Sequence, residues 1–171
     1  VNRERICSQY LYGESNPAEN GILPTGVYFQ PINPSKKAYN IRLAKYHRRN
    51  SKIQEDSIVF FANVQPGSSE EDWCESVADE LNKSLGLKVV LKKGTYIEKL
   101  KSIKEGESKM WLGAYVPDYP DAESYLNPYY SLNEGKSIRA YSNYKNSEFD
   151  ELFEKSSREV DESVRNKLFN S

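Results

Sequence analysis

The densest chemistry in the sequence lies in residues 115–121, YVPDYPD, where Asp118 stands between Pro117 and Pro120 with Tyr115 and Tyr119 on either side. Two prolines stiffen the turn, and two tyrosines supply aromatic walls. A carboxylate held this way suits a cationic ligand group such as an α-amine. A second reading makes Asp118 and Asp121 turn formers, with Asp121 capping the next helix. A third pairs the two carboxylates, at i and i+3, as acid and base of a small hydrolase. That role needs one carboxyl held protonated, and the sequence offers neither an apolar sheath to do so nor a nucleophile motif.

The remaining reactive residues point to no catalytic or metal site. The single histidine, His47, sits beside Arg48 and Arg49 near an expected helix end, where the dipole favours cations. Cys7 and Cys74 lack a second sulfur or a histidine at ligand spacing, so no metal or other cofactor is expected. The two could form a disulfide in an exported protein, but both fall on expected helices and read more readily as buried thiols. Lys92, Lys93, Lys99, Lys101 and Lys104 alternate with acidic residues and read as a solvated face. With 24 basic and 25 acidic side chains and a net charge of −1, the chain lacks the electrostatic footprint of a nucleic-acid binder.

These residues need a scaffold to hold them. At 171 residues, 37% hydrophobic and with a mean hydropathy of −0.79, the chain suits one wet but folded domain without a membrane-spanning run. Arg3, Ile6, Cys7 and Tyr10 read as the interior of a helix already under way at the start of the chain. The Pro- and Gly-rich stretch from Gly13 to Pro34 is irregular, and a helix is expected from Ser35 to about Arg49. Ile58–Ala62 reads as a strand buried on both faces. A helix capped by Ser69 follows, with Trp73, Val77, Leu81 and Leu85 inward, and it stops at Gly86. Leu87–Lys92 has strand period. Thr95 or Tyr96 opens a helix with Ile97, Leu100 and Ile103 on one face, closed by Gly106.

Lys109–Val116 is expected as a third strand, which would place Asp118 just past its carboxyl end, where ligands bind in open α/β sheets. This β-α-β-α-β order predicts a largely parallel sheet with flanking helices. Two helices close the chain, one with Phe149, Leu152 and Phe153 inward, the other from Val160 to Phe169 with Val160, Val164 and Leu168 in register. Val1 is not a start methionine and the last helix lacks a closing Gly or Pro, so both termini read as truncated and the polar start says little about location.

Residues 112–126, LGAYVPDYPDAESYL, resemble the W-x-A-D-Y-P-D-P-x-x-F-L segment of the family 5 extracellular solute-binding proteins, the oligopeptide, dipeptide and nickel receptors of ABC importers. Four further stretches match in the family's order. VNRERI at 1–6 resembles I-D-R-x-x-I, and residues 12–24 resemble the G-x-x-x-P-A-x-G-x-x-P loop. LNKSLGLKV at 81–89 resembles L-x-K-x-L-G-I-x-V, and YKNSEFDEL at 144–152 resembles Y-x-N-x-x-F-D-x-L, followed by Asp161 and Arg165 as D-x-x-x-R. Departures are Tyr115 for the usual Trp, Pro117 for Ala and Ala122 for Pro, with a loop that reads as trimmed between Ser131 and Tyr144.

The resemblance implies a three-layer α/β lobe of a type II periplasmic-binding-protein-like fold, with residues 1–171 forming the second lobe of a two-lobe receptor. It implies a non-enzymatic, bacterial, extracytoplasmic protein, either periplasmic or lipid-anchored at the outer face of the cell membrane. Its partners would be a peptide or other small amine-bearing ligand, the missing first lobe and a membrane ABC permease. By the same resemblance Asp118 aligns with the aspartate that pairs with a peptide's amino terminus. Tyr115 would form an aromatic wall, and the backbone of Val116 and Pro117 would place both. The rival from another class is a protein-interaction domain presenting a tyrosine-rich face around Tyr125, Tyr129 and Tyr130.

Overall fold

The computed structural model describes residues 1–17, 22–24, 27, 39–51, 57–133 and 144–169. Much of the Gly13–Pro34 stretch, the start of the helix expected from Ser35 and most of the loop between Ser131 and Tyr144 lie outside the described residues. The chain divides into two compact units, one formed by residues 1–17 and 37–114, the other by 18–36 and 115–171.

The first unit is built on three parallel strands, β1 (Ser57–Ala62), β2 (Lys88–Lys93) and β3 (Ser108–Trp111), in the order β2-β1-β3. As the central strand, β1 has neighbours on both edges, and Phe60, Phe61 and Ala62 are buried, as the unbroken apolar run required. Ile58 pairs with Val89 on one side and Phe60 with Met110 on the other, with a register shift between Val59 and Phe60. Phe60, Ala62 and Val89 form one core with Cys74, Val77 and Ala78 of α3 (Ser69–Leu85), and Ile6 of α1 (Arg3–Tyr10) packs against it. Each large side chain buried there contributes about 1.5–3 kcal/mol of transfer free energy.

Helix starts follow side-chain caps, and two differ from the sequence reading. Ser68, not Ser69, caps α3: its hydroxyl accepts from the Glu71 backbone N–H at 3.2 Å. Helix α2 (Ile41–Asn50) begins six residues later than expected from Ser35, because Asn40 caps it by accepting from the Leu43 N–H at 2.9 Å. Gly86 ends α3 in the left-handed region at φ 63, which a Cβ would disfavour. Asn82 then ties α3 to the edge strand β2, accepting from the Val89 N–H at 2.6 Å and donating to the Val89 carbonyl at 3.2 Å.

Helix α4 (Tyr96–Lys104) opens with a capping box between Thr95 and Glu98. Its buried stripe is Lys99, Ser102 and Ile103 rather than Ile97, Leu100 and Ile103, and Ile97 is 77% exposed. At 3.6 residues per turn Ile97 lies roughly 160° round the helix from Lys99, so both cannot face the sheet. Lys99 therefore departs from the solvated face assigned to the lysines. Only 4% exposed, it donates to Asn63 Oδ1 and, at 3.0 Å, to the Leu112 carbonyl, the residues just beyond β1 and β3.

Strand β3 is also shorter than expected. After Trp111 only the Leu112 N–H reaches β1, donating to the Phe61 carbonyl at 2.9 Å. Strand β1 stops at Ala62, so β3 has nothing further to pair with, and Asp118 lies well beyond the strand end instead of directly past it.

The second unit contains α5 (Ala122–Leu126), two 3-10 turns (Asn127–Tyr129 and Ser131–Asn133), α6 (Ser147–Arg158) and α7 (Glu162–Phe169). Asn146 caps α6, accepting from the Glu148 and Phe149 N–H groups. Five rings run through the unit in the order Tyr129, Tyr144, Phe149, Phe153 and Tyr130, with centroids 5.0–6.3 Å apart. The first two contacts are edge to face, Phe149 and Phe153 are stacked, and Tyr130 is tilted on Phe153. The Tyr130 hydroxyl also donates to Glu154 at 2.7 Å. Val160 falls outside α7 and is 97% exposed, because the helix starts only after Asp161, whose carboxylate accepts from the Val164 N–H at 3.0 Å.

Candidate binding loop

The YVPDYPD segment precedes α5 and is fastened to it at both ends. At the first end Tyr115 is half-buried, its hydroxyl donates to the Ser124 carbonyl at 2.8 Å, and its ring stands edge-on to Tyr125 at 6.4 Å. At the other, Asp121 caps α5: its carboxylate accepts from the Glu123 N–H at 2.8 Å, while its own N–H donates to the Tyr119 carbonyl at 2.9 Å. Between these anchors lie Val116, 86% exposed, the half-buried Pro117, the exposed Asp118 and Tyr119. No hydrogen bond or ion pair to Asp118 is formed by the described residues. The two prolines bracket a carboxylate that the described residues leave uncompensated.

The second aspartate behaves in the opposite way. Arg165 of α7 grips Asp121 with both terminal nitrogens, Nη1 to Oδ2 at 2.6 Å and Nη2 to Oδ1 at 2.7 Å, and Nη2 lies 3.6 Å from Glu123 Oε2. The guanidinium beside it holds the Asp121 carboxyl below its ordinary value, against the opposing pull of burial. An ionised, bidentate-paired carboxylate is a poor proton donor near neutral pH, so this geometry does not suit an Asp118–Asp121 acid–base pair. Tyr119 shows the local field: its phenol is shifted upward, first by burial and then by the nearby Glu123 and Asp121 charges.

All four residues singled out in the sequence, Tyr115, Val116, Pro117 and Asp118, fall on this one loop. Sequence reasoning missed Arg165 as the partner of Asp121, since the two stand 44 positions apart and only the fold brings them together. It also missed that Lys99 is a buried cation, whose pKa burial lowers. Among the described residues no group of three or more His, Cys, Asp and Glu could hold a metal ion, and no helix is long and apolar enough to cross a membrane. Cys7 is half-buried and Cys74 fully buried, and neither is bridged. His47 is exposed in the last turn of α2, edge-on to Tyr46.

A family model for bacterial extracellular solute-binding proteins, family 5 (the middle segment) matches residues 1–137. The chain belongs to this family. Among solved structures, the Escherichia coli murein tripeptide-binding protein MppA matches with a TM-score of 0.82 at 17% identity, covering 99% of this chain and 34% of that one. A periplasmic oligopeptide-binding protein from Borrelia burgdorferi matches at 0.81 and 21% identity, covering 98% and 33%. DppA from Helicobacter pylori, solved in complex with a peptide, matches at 0.80 and 19% identity, covering 99% and 33%. At these identities the likeness establishes the fold. This family 5 chain spans about a third of the length of those proteins. No curated protein matches it. The resemblance drawn from five short motifs is thus borne out at the level of family and α/β fold.

Proposed function

We propose that the protein carrying this family 5 chain is the substrate-binding component of an ABC importer for oligopeptides or dipeptides, and that residues 1–171 are one lobe of it, the second. The observation that carries the reading is Asp118: an exposed carboxylate on a proline-braced loop, fastened on both sides, with no counter-charge from the described residues. Such a group is ready for an incoming ammonium, and the α-amine of a peptide supplies one. Tyr115 lines the approach, and the Val116–Pro117 backbone sets the carboxylate's position. The peptide and tripeptide receptors among the structural neighbours support the same ligand class.

On this reading the protein is a receptor and not an enzyme. It works outside the cytoplasm, in a periplasm or lipid-anchored at the outer face of the membrane. Ligand bridging two lobes shifts the population toward a closed form that a membrane permease recognises. The interaction-domain alternative is less well supported, because Tyr129 and Tyr130 are half-buried in the ring ladder and the half-buried Tyr125 stands edge-on to Tyr115.

The test is calorimetric titration of the full-length protein with a mixed peptide library, alongside Asp118→Asn, which keeps the shape and removes the charge. Loss of about 2 kcal/mol, roughly thirtyfold in affinity, is expected when a paired ammonium loses its partner. Equal binding by both forms would reduce Asp118 to a turn residue. Absence of any binding would mean that the ligand is not a peptide.

A further inference from the structure

We propose that Arg165 is a positioning residue for the binding loop: it clamps Asp121 and, through Asp121, the turn that presents Asp118 to its ligand. The inference rests on the reading of Asp118 as an amine anchor and deepens it.

The clamp is built from a fixed base. Arg165 Nε donates to the Ser156 carbonyl at 3.1 Å, near the end of α6, and Ser156 is fully buried, its hydroxyl donating to the Phe153 carbonyl at 2.7 Å. The guanidinium carbon lies 5.0 Å from the Phe169 ring centroid, so the plane of the group is held on one side as well. The Arg165 N–H donates to the Asp161 carbonyl at 2.9 Å in the first turn of α7. With Nε engaged, Nη1 and Nη2 reach the two Asp121 oxygens as a fork, a geometry that a lysine cannot reproduce. Arg165 thereby joins α6 and α7 to the start of α5.

Asp121 transmits that position. Its N–H is bonded to the Tyr119 carbonyl, its carbonyl accepts from the Ser124 N–H at 3.1 Å, and its carboxylate receives Glu123 N–H and Arg165 together. Only Tyr119 and Pro120 separate it from Asp118, and Pro120 has a fixed φ, so rotation at Asp121 is passed on to Asp118 with little slack. The clamp also sorts charge. Three carboxylates, Asp118, Asp121 and Glu123, crowd this short segment, and Arg165 compensates the latter two while leaving Asp118 for the ligand. The depressed Asp121 pKa agrees with that division.

The test is a double-mutant cycle in the full-length protein, with the peptide library as probe, comparing Arg165→Lys, Asp118→Asn and the double variant. Arg165→Lys keeps the charge and removes the fork. It is expected to weaken binding about tenfold in the parent and to change nothing further once Asp118 is Asn, because both changes act through one group. Asp121→Asn serves as a second route and should show the same non-additivity. Amide exchange of Asp121, Glu123 and Ser124 without peptide should quicken in both variants.

A fall in melting temperature with unchanged affinity would make Arg165 a structural tie only and would overturn the proposal. Additive losses would also overturn it, since Arg165 would then affect the ligand by another path. A silent Asp118→Asn, or a library that does not bind, sinks the reading of Asp118 itself and the proposal with it. That failure is told apart by the Asp118 arm, and amide exchange still reports whether the clamp orders the turn.

Discussion

Two aspartates three positions apart illustrate how far environment divides identical side chains. Asp118 is exposed and lacks a partner among the described residues, whereas Asp121 is enclosed by Arg165 and the Glu123 amide. Because Arg165 lowers the Asp121 pKa, the pair contributes stability fully above the unfolded carboxyl value and loses it as pH falls through the folded one. Asp121→Asn should therefore cost about 1–2 kcal/mol at pH 7, the lower part of the range for charged hydrogen bonds given partial exposure. The difference from the parent should shrink as the pH drops from about 5 to 3. The nearby Tyr119 phenol, shifted upward by burial, stays neutral throughout that range and does not reverse the sign. Urea unfolding of both proteins at several pH values checks this, and a gap that widens in acid would contradict it. Environment also shifts a thiol: burial raises Cys74 to about 11. At pH 8 Cys74 should resist a maleimide until the protein unfolds, since the thiolate is the reactive form.

Among the elements, those with local signals were the most legible. The apolar run of β1, the helix start at Thr95 or Tyr96, the glycine that ends α3 and the alternation around β2 each follow from a few neighbouring residues. Apart from the helix starts set by Ser68, Asn40 and Asp161, the errors appeared where a distant partner decided the outcome. Strand β3 ends with its partner β1, which its own apolar sequence through Val116 does not reveal. Helix α4 turns Lys99 inward because the Asn63 side chain and the Leu112 carbonyl wait at the strand ends, and no sequence window contains those acceptors. The loop stood out in the sequence as a candidate because prolines and aromatics bracket one carboxylate locally. Its clamp was not, since Arg165 arrives from α7. Local signals can also be tested locally: Thr95→Ala removes half of the capping box and should cost about 1 kcal/mol, read from the shift in the urea midpoint. A neutral result would mean that sheet packing alone holds the start of α4.

On the scale of the whole molecule, affinity depends on how much of the proposed receptor this chain supplies. The chain covers about a third of the length of its structural relatives, and the proposed receptor holds its ligand between two lobes. One ion pair on an exposed loop is a weak site in water, because an uncovered charge pair is worth about 1 kcal/mol or less. Enclosure changes this by excluding water, which strengthens the Asp118 interaction and adds contacts from the facing surface. Affinity should therefore belong to the closed assembly rather than to the loop. The isolated 171-residue chain is expected to bind peptides at least about a hundredfold more weakly than the full-length protein, equivalent to about 2.7 kcal/mol of missing contacts and desolvation. Parallel titrations of the two proteins with one peptide decide it. Equal affinities would place the whole recognition surface on this chain and leave closure as a signal to the permease, with no share in binding.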